Sequence, residues 1–169
     1  MKIIEKLTRW ALAILPIRLS EKAVDSFVQF VKFCVIGVSN TIVSYVLNIL
    51  TLKILAPYEL SWDYYVGNFV AFMLSVLWSF YWNNRLVFTL EKGQKRHLGK
   101  ALLKTYLAYS VSGIFICNAL SYVWIDKLGI SKMLAPMLNL VISVPINFVI
   151  NKFWAFRPSN EGKGEEDET

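Results

Sequence analysis

The sequence is poor in the residues that build metal sites and disulfide frameworks. Its 169 residues include one histidine, His97, and two cysteines, Cys34 and Cys117. Both cysteines fall inside apolar runs and the histidine lies in a charged loop. The sequence therefore predicts neither a metal cluster nor a disulfide framework. It also lacks an ATP-binding motif, and no cofactor is predicted.

Acidic side chains are missing from the apolar runs. Every Asp and Glu lies in a loop, at a helix end or in a terminal segment, and no Ser or Cys has a histidine nearby. A carboxylate pair for acid–base catalysis and a nucleophile with its base are both absent, so the protein is predicted not to be an enzyme. A small proton-coupled drug exporter is disfavoured as well, because it needs an ionisable group within the membrane.

Apolar residues, in contrast, are abundant. Hydrophobic residues make up 56% of the chain and charged residues only 18%, whereas soluble domains average roughly 45–50% and about 25%. Four apolar runs occupy residues 33–52, 64–82, 103–125 and 133–150, and each approaches the roughly 20 residues that span a bilayer. Lipid-exposed segments must satisfy their own backbone hydrogen bonds. The predicted fold is therefore an all-α membrane protein with four transmembrane helices.

The distribution of Lys and Arg predicts the orientation of these helices. Fifteen of the 18 basic residues lie before the first run, in the segment 85–104 and after the last run, while the two remaining connections hold three. Positive charge marks the cytoplasmic side, so both termini and the middle loop are predicted to be cytoplasmic. The net charge of +6 is then a topology signal and not a footprint for nucleic acid, which is not an expected partner.

The two ends of the chain differ from its middle. Ile3, Leu7, Trp10 and Ile14 recur at helical spacing opposite basic residues, which predicts an amphipathic helix in the inner membrane interface within residues 1–30. Residues 31–157 form the predicted four-helix domain. Residues 158–169 are polar and acidic with nothing to bury, which predicts a disordered tail.

A short internal repeat relates the second and fourth runs at an offset of 68 residues. Ser75-Val76, Phe80, Asn83 and Phe88 align with Ser143-Val144, Phe148, Asn151 and Phe156. The first and third runs show no comparable match. The alignment favours two parallel helical hairpins. The alternative is that both runs are unrelated helices that end in an aromatic belt.

Polar residues at helical spacing mark a candidate path through the membrane. A sugar that crosses needs continuous donors and acceptors, whereas contacts between membrane helices need only one or two such residues. Both interpretations remain open for any single side chain. The candidate sugar-path residues are Asn40, Asn68, Ser75, Ser79, Asn139, Ser143 and Asn147.

Basic residues stand at the inner end of every run, at Lys32, Arg85, Lys104 and Lys152. Anchoring at the membrane surface explains Lys32 and Lys104. Arg85 and Lys152 end the polar stripes, where a lipid phosphate would meet them. The candidate phosphate-binding set is Arg85, Lys152, Asn83, Asn84 and Asn151, and Trp78, Trp82 and Trp154 are candidate interface anchors or sugar-stacking rings.

Four motifs together resemble the GtrA-like family over about residues 30–157. They are IGVSNT at 36–41, Asn68-Phe69, SFYWNNRLVF at 79–88 and NFVINKFWAFR at 147–157. The resemblance implies a multi-pass protein of the bacterial inner membrane that moves polyprenyl-phosphate-linked sugars to the outer leaflet for cell-surface glycosylation.

The resemblance also implies a polyprenyl-phosphate glycosyltransferase as a possible partner. Four helices make a thin wall around a path, so a homo-oligomer is expected too. The alternative function is a non-transporting accessory subunit, in which the amide stripes hold helices together and the N-terminal helix and basic middle loop dock a glycosyltransferase.

Overall fold

A computed structural model describes residues 1–14, 19–131 and 134–158. The predicted acidic tail, apart from Pro158, and the first residue of the fourth apolar run lie outside these ranges. All regular elements of the described residues are helical. The helices are α1 (Lys2–Ile14), α2 (Glu21–Leu55), α3 (Asp63–Leu86), α4 (Leu98–Val111), α5 (Cys117–Tyr122) and α6 (Ala135–Ile150). Three π-helical segments follow α4, α5 and α6, at Ser112–Ile116, Val123–Lys127 and Asn151–Ala155.

Three helical stretches of the described residues are long and apolar enough to cross a membrane. They are Glu21–Tyr58, Asp63–Leu86 and Met137–Ala155. These agree with the first, second and fourth apolar runs. The third run forms α4, α5 and their two π segments, which follow one another without a break over residues 98–127 but do not number among these three candidate spans. The all-helical membrane fold is thus confirmed, and the fourth span stays a prediction.

The chain divides into two compact units, one ending at Thr89 and the other beginning at Leu90. In the first unit, α2 and α3 form a helical hairpin around a turn at Ala56–Tyr58. Glu59 ends this turn in the left-handed region, with φ of 49°. The sequence signals of Pro57 and the polar residues after it thus predicted the turn correctly.

A stripe of small and polar residues is the buried face of α3. Every fourth residue from Gly67 to Asn83 is buried: Gly67, Ala71, Ser75, Ser79 and Asn83. Small residues at this spacing let membrane helices approach closely. At Gly67 an added Cβ would lie 3.1 Å from Asn48 Nδ2 and 3.4 Å from the side chain of Leu52 on α2. The stripe therefore packs against α2 in the first unit.

Ion pairs hold α1 against the first turns of α2. Glu5 accepts a hydrogen bond from Lys32 Nζ at 2.7 Å, and Arg9 pairs with Asp25 and lies 3.6 Å from Glu21. Residue 5 thus meets residue 32 while residue 9 meets residues 25 and 21, so α1 runs back along α2. The residues predicted as the apolar face of α1 are exposed: Ile3, Leu7, Trp10 and Ile14.

The second unit packs α4, α5 and the π segments of the third apolar run against α6 and its π continuation. Ala101, Thr105, Ala108 and Ser112 are buried at spacings of four and three, which is the seam of a closely packed helix pair. Gly129, with φ of 65°, follows the helix that ends at Lys127. Ile130 N–H donates to Trp124 O at 2.8 Å, and this hydrogen bond satisfies one of the last carbonyls of the helix.

The two units end their last helices in the same way. Phe88 N–H donates to Asn83 O at 2.8 Å, and Phe156 N–H donates to Asn151 O at 2.8 Å. All four residues are buried. These pairs stand at the offset of 68 residues that the sequence repeat predicts.

Candidate functional site

The stripe of α3 uses its polar side chains mainly within its own hairpin. Asn83 Nδ2 donates to Ser79 Oγ at 3.0 Å, and Ser75 Oγ donates to Phe72 O at 3.3 Å. Asn83 Oδ1 is buried and receives no hydrogen bond from the described residues. Two predicted sugar-path residues and one phosphate-site residue therefore meet on one buried face.

Two further predicted residues of the first unit lie beside this stripe. Asn68 is exposed, and its Oδ1 accepts from Asn48 Nδ2 at 2.9 Å, which links α3 to α2. Asn40 is half-buried, and its Oδ1 has no donor among the described residues. Asn68 thus makes a contact between helices, while Asn40 keeps an acceptor that the fold does not use.

Trp78 and Trp82 form an aromatic cluster on α3. Their ring centroids lie 5.6 Å apart with an edge-on geometry, and Trp78 Nε1 donates to Ser39 Oγ on α2 at 3.2 Å. Tyr81 packs edge-on against Trp82 at 5.1 Å. The cluster continues toward Arg85, because Arg85 Nη1 donates to Tyr81 Oη at 2.7 Å.

Arg85 presents an exposed guanidinium at the end of α3. Its described contacts are the hydroxyl and the ring of Tyr81, with the guanidinium 6.0 Å from the ring centroid. None of the acidic residues in the described part of the chain forms an ion pair with it. Its neighbour Asn84 is half-buried and engaged in contacts of its own. A guanidinium without a carboxylate partner is suited to bind a phosphate.

In the second unit, the predicted path residues of α6 are one face of that helix. Asn139 and Ser143 are buried, and Asn147 is half-buried. Asn139 Nδ2 donates to Cys117 O at 3.1 Å and to Ser121 Oγ at 2.7 Å, which fixes α6 to α5. Pro145 lies inside the same helix and has no backbone N–H to donate.

The phosphate-site residues of this unit follow in the π segment. Asn151 is fully buried, and its Nδ2 donates to Asn147 O at 2.8 Å. Lys152 Nζ lies 5.5 Å from the ring centroid of Phe148 and 5.8 Å from that of Phe153. Lys104 approaches the face of Trp154 at 5.6 Å and donates to Trp154 O at 3.4 Å.

The sequence did not predict a role for Arg96. Its guanidinium donates to Phe156 O and lies 5.2 Å from the Phe156 ring centroid. Burial lowers the pKa of Arg96 from the ordinary value of arginine. Arg96 and Lys104 thus place two cations at the C-terminal end of the helix that α6 and its π segment form. The helix dipole favours positive charge at this end.

Some of these contacts were visible in the sequence and others were not. Tyr81 and Arg85 stand four residues apart on one helix, so their contact follows from spacing. The bonds from Asn48 to Asn68 and from Asn139 to Ser121 join different helices, and no local signal predicts them. His, Cys, Asp and Glu of the described residues nowhere form a group of three that could hold a metal.

The family model for the GtrA/DPMS transmembrane domain matches residues 32–156. The chain belongs to this family. The match covers well over half of the chain and confirms the resemblance drawn from the four motifs. With its three long apolar helices, this member of the GtrA/DPMS transmembrane family is a multi-pass membrane protein.

Two relatives carry the name "Cell wall teichoic acid glycosylation protein GtcA". One, from Listeria monocytogenes, is 28% identical over 116 residues, which cover 66% of this chain and 76% of the relative. The other, from Listeria monocytogenes serovar 1/2a, is 27% identical over 137 residues, which cover 79% of this chain and 88% of the relative. No solved structure matches the chain significantly.

Proposed function

We propose that this protein takes part in bacterial cell-envelope glycosylation by moving a polyprenyl-phosphate-linked monosaccharide from the cytoplasmic to the outer leaflet of the inner membrane. Its GtrA/DPMS family membership and the name of its Listeria relatives support a role in glycosylation. The observation that carries the transport step is Arg85, an exposed guanidinium with no carboxylate partner among the described residues. It can bind the lipid phosphate through two parallel hydrogen bonds.

In this mechanism each unit supplies one phosphate-binding end. Arg85 works beside Asn83 and Asn84 in the first unit, and Lys152 works beside Asn151 in the second. Trp78, Trp82 and Trp154 anchor these ends at the interface, where a ring face can also stack on a sugar. In the first unit the sugar-path residues are Asn40, Asn68, Ser75 and Ser79, and in the second unit they are Asn139, Ser143 and Asn147. The polyprenyl chain stays in lipid, beside the exposed apolar side chains of the spans.

The proposed architecture is two parallel hairpin repeats that cross the membrane four times. The support is the shared end geometry of Asn83 with Phe88 and Asn151 with Phe156. The buried stripe of α3 also has its counterpart at the same offset, since Ala135, Asn139, Ser143 and Asn151 are buried as well. We propose that α1 lies in the inner interface, with both termini in the cytoplasm.

The experiment is leaflet exchange of a short-chain polyprenyl-phosphate sugar in liposomes that contain only the purified protein. Wild type is expected to exceed protein-free liposomes. Arg85→Ala should lose about 10- to 100-fold of the rate, because a hydrogen bond to a charged group contributes roughly 1.5–3 kcal/mol. Lys53→Ala is the matched control. Lys53 is an exposed basic residue in the last turn of α2, whereas Arg85 lies in the last turn of α3. Equal rates in wild type and Arg85→Ala would refute the phosphate site.

A second candidate function is a non-transporting accessory subunit that docks a glycosyltransferase. The observation that favours it is the use of amides as contacts between helices, at Asn48 with Asn68 and at Asn139 with Ser121. Under this hypothesis the purified protein does not exchange lipid, and co-purification with the glycosyltransferase replaces exchange as the positive result.

A homo-oligomer is proposed for the transporter, and a monodisperse monomer that exchanges lipid would contradict it.

A further inference from the structure

Three amide oxygens of the second unit form a row of acceptors that the fold leaves unused. They belong to Asn139, Asn147 and Asn151, and we call this set the acceptor row. Each Oδ1 atom is buried and receives no hydrogen bond from the described residues. Asn139 is 6% exposed and Asn151 is 0% exposed as whole residues, so bulk water does not surround them.

The orientation of two of these amides follows from their nitrogen partners. Asn139 Nδ2 donates to the backbone oxygen of Cys117, and Asn151 Nδ2 donates to the backbone oxygen of Asn147. A carbonyl oxygen can only accept, so a flipped amide would set oxygen against oxygen. The Oδ1 atoms of both residues therefore face away from these partners and stay available as acceptors.

A row of buried, unused acceptors is complementary to a ligand that donates hydrogen bonds. An acceptor that is removed from water without a partner destabilises the fold, so such groups are retained where something binds them. Amides within a membrane span either join helices or line a substrate path, and an oxygen that no neighbouring helix uses fits the second role. Pro145 lies within α6 between Asn139 and Asn147, and a Pro within an apolar span is one of the sequence features that mark binding sites in membrane transporters.

We propose that the acceptor row binds the donor groups of the sugar, its hydroxyl or amide hydrogens, with Asn151 at the end of the row where the sugar joins the phosphate held by Lys152. This inference rests on the proposed function, because it names the chemistry by which the same path recognises its substrate. Anionic groups are repelled by a row of carbonyl oxygens, so the phosphate stays at the cationic helix ends while the sugar occupies α6.

The test measures binding through thermal unfolding of the full-length protein in detergent, with no transport required. The probes are citronellyl phosphate carrying glucose, galactose or N-acetylglucosamine, and citronellyl phosphate without a sugar. In wild type, at least one sugar-bearing probe at a tenfold excess over its Kd should raise Tm by about 3 °C more than the sugar-free probe at the same concentration. Asn147→Leu should abolish this difference, and Lys53→Ala, at an exposed position with no role in the path, should preserve it.

A comparison without probe separates ligand binding from helix packing. Asn147 makes no side-chain hydrogen bond within the described part of the chain, so Asn147→Leu should leave Tm unchanged or raise it. Asn139→Leu is the matched control and should lower Tm, because it removes two bonds to α5. The inference is overturned if the sugar adds nothing in wild type, if Asn147→Leu keeps the difference, or if Asn147→Leu is as unstable as Asn139→Leu. A protein that binds the sugar but does not exchange lipid would support the acceptor row and refute the proposed flipping.

Discussion

At the scale of single residues, Gly67 is where the first hairpin leaves no room for a side chain. Its missing Cβ would stand 3.1 Å from Asn48 Nδ2, which already donates to Asn68. Gly67→Ala should therefore push Asn48 out of this hydrogen bond and destabilise the hairpin by about 1–3 kcal/mol. Thermal unfolding of the purified protein in detergent measures the effect.

Gly37 provides the matched control for Gly67. It lies in α2, and nothing stands within 4 Å of the place where its Cβ would be. Gly37→Ala should be neutral or stabilising by up to about 1 kcal/mol, since alanine favours a helix interior over glycine. A Gly67→Ala protein as stable as Gly37→Ala would show that the helices of this hairpin are not in close contact at that level.

At the scale of elements, the attachment of α1 to α2 depends on a carboxylate. The hydrogen bond and the charge of Lys32 hold the pKa of Glu5 below its ordinary value of 4.5. A lowered pKa gives a stabilising contribution that is fully present above the ordinary pKa and is lost as the pH falls through the lowered one. The docking of α1 should thus be constant from pH 7 to about 5 and weaken below about 4.5.

The distance between spin labels at positions 7 and 27, in a protein without its native cysteines, measures this docking. Both positions are exposed, so labels should not disturb the fold. Lys32→Ala should broaden the distance distribution already at pH 7. Glu21→Gln is the control, because Glu21 is largely exposed and its pairing with Arg9 is screened by water. An unchanged distribution in Lys32→Ala would mean that the Lys32–Glu5 pair is not needed to hold α1.

At the scale of the whole molecule, the number of spans decides where the C-terminus lies. Three long apolar helices are present in the described residues, and the run 103–125 is the predicted fourth. Reporter fusions after Glu59, Gly93, Gly129 and Pro158 test this topology. Alkaline phosphatase should be active after Glu59 and Gly129, and GFP should fluoresce after Gly93 and Pro158. Phosphatase activity after Pro158 would instead show three spans and would refute the proposed parallel hairpin repeat.

The sequence by itself determined the membrane class, three of the long helices, the turns near Pro57 and Gly129, and the family. These properties depend on hydropathy and on spacing along the chain, which are local quantities. It also found the equivalence of Asn83 and Asn151, because a repeat is visible without coordinates. The π segments within the helix of the third run follow no residue pattern that we can identify.

Only the tertiary structure decided which polar side-chain atoms form hydrogen bonds with other residues and which do not. Asn68 and Asn139 look alike in the sequence, since both are amides in apolar runs. Asn68 is exposed, and its Oδ1 accepts a hydrogen bond from Asn48. Asn139 is buried, and its Oδ1 accepts none from the described residues. That difference depends on what the neighbouring helix places opposite each amide, and residues distant in the chain supply it. For the same reason, the bond from Arg96 to Phe156 could not be read from either residue alone.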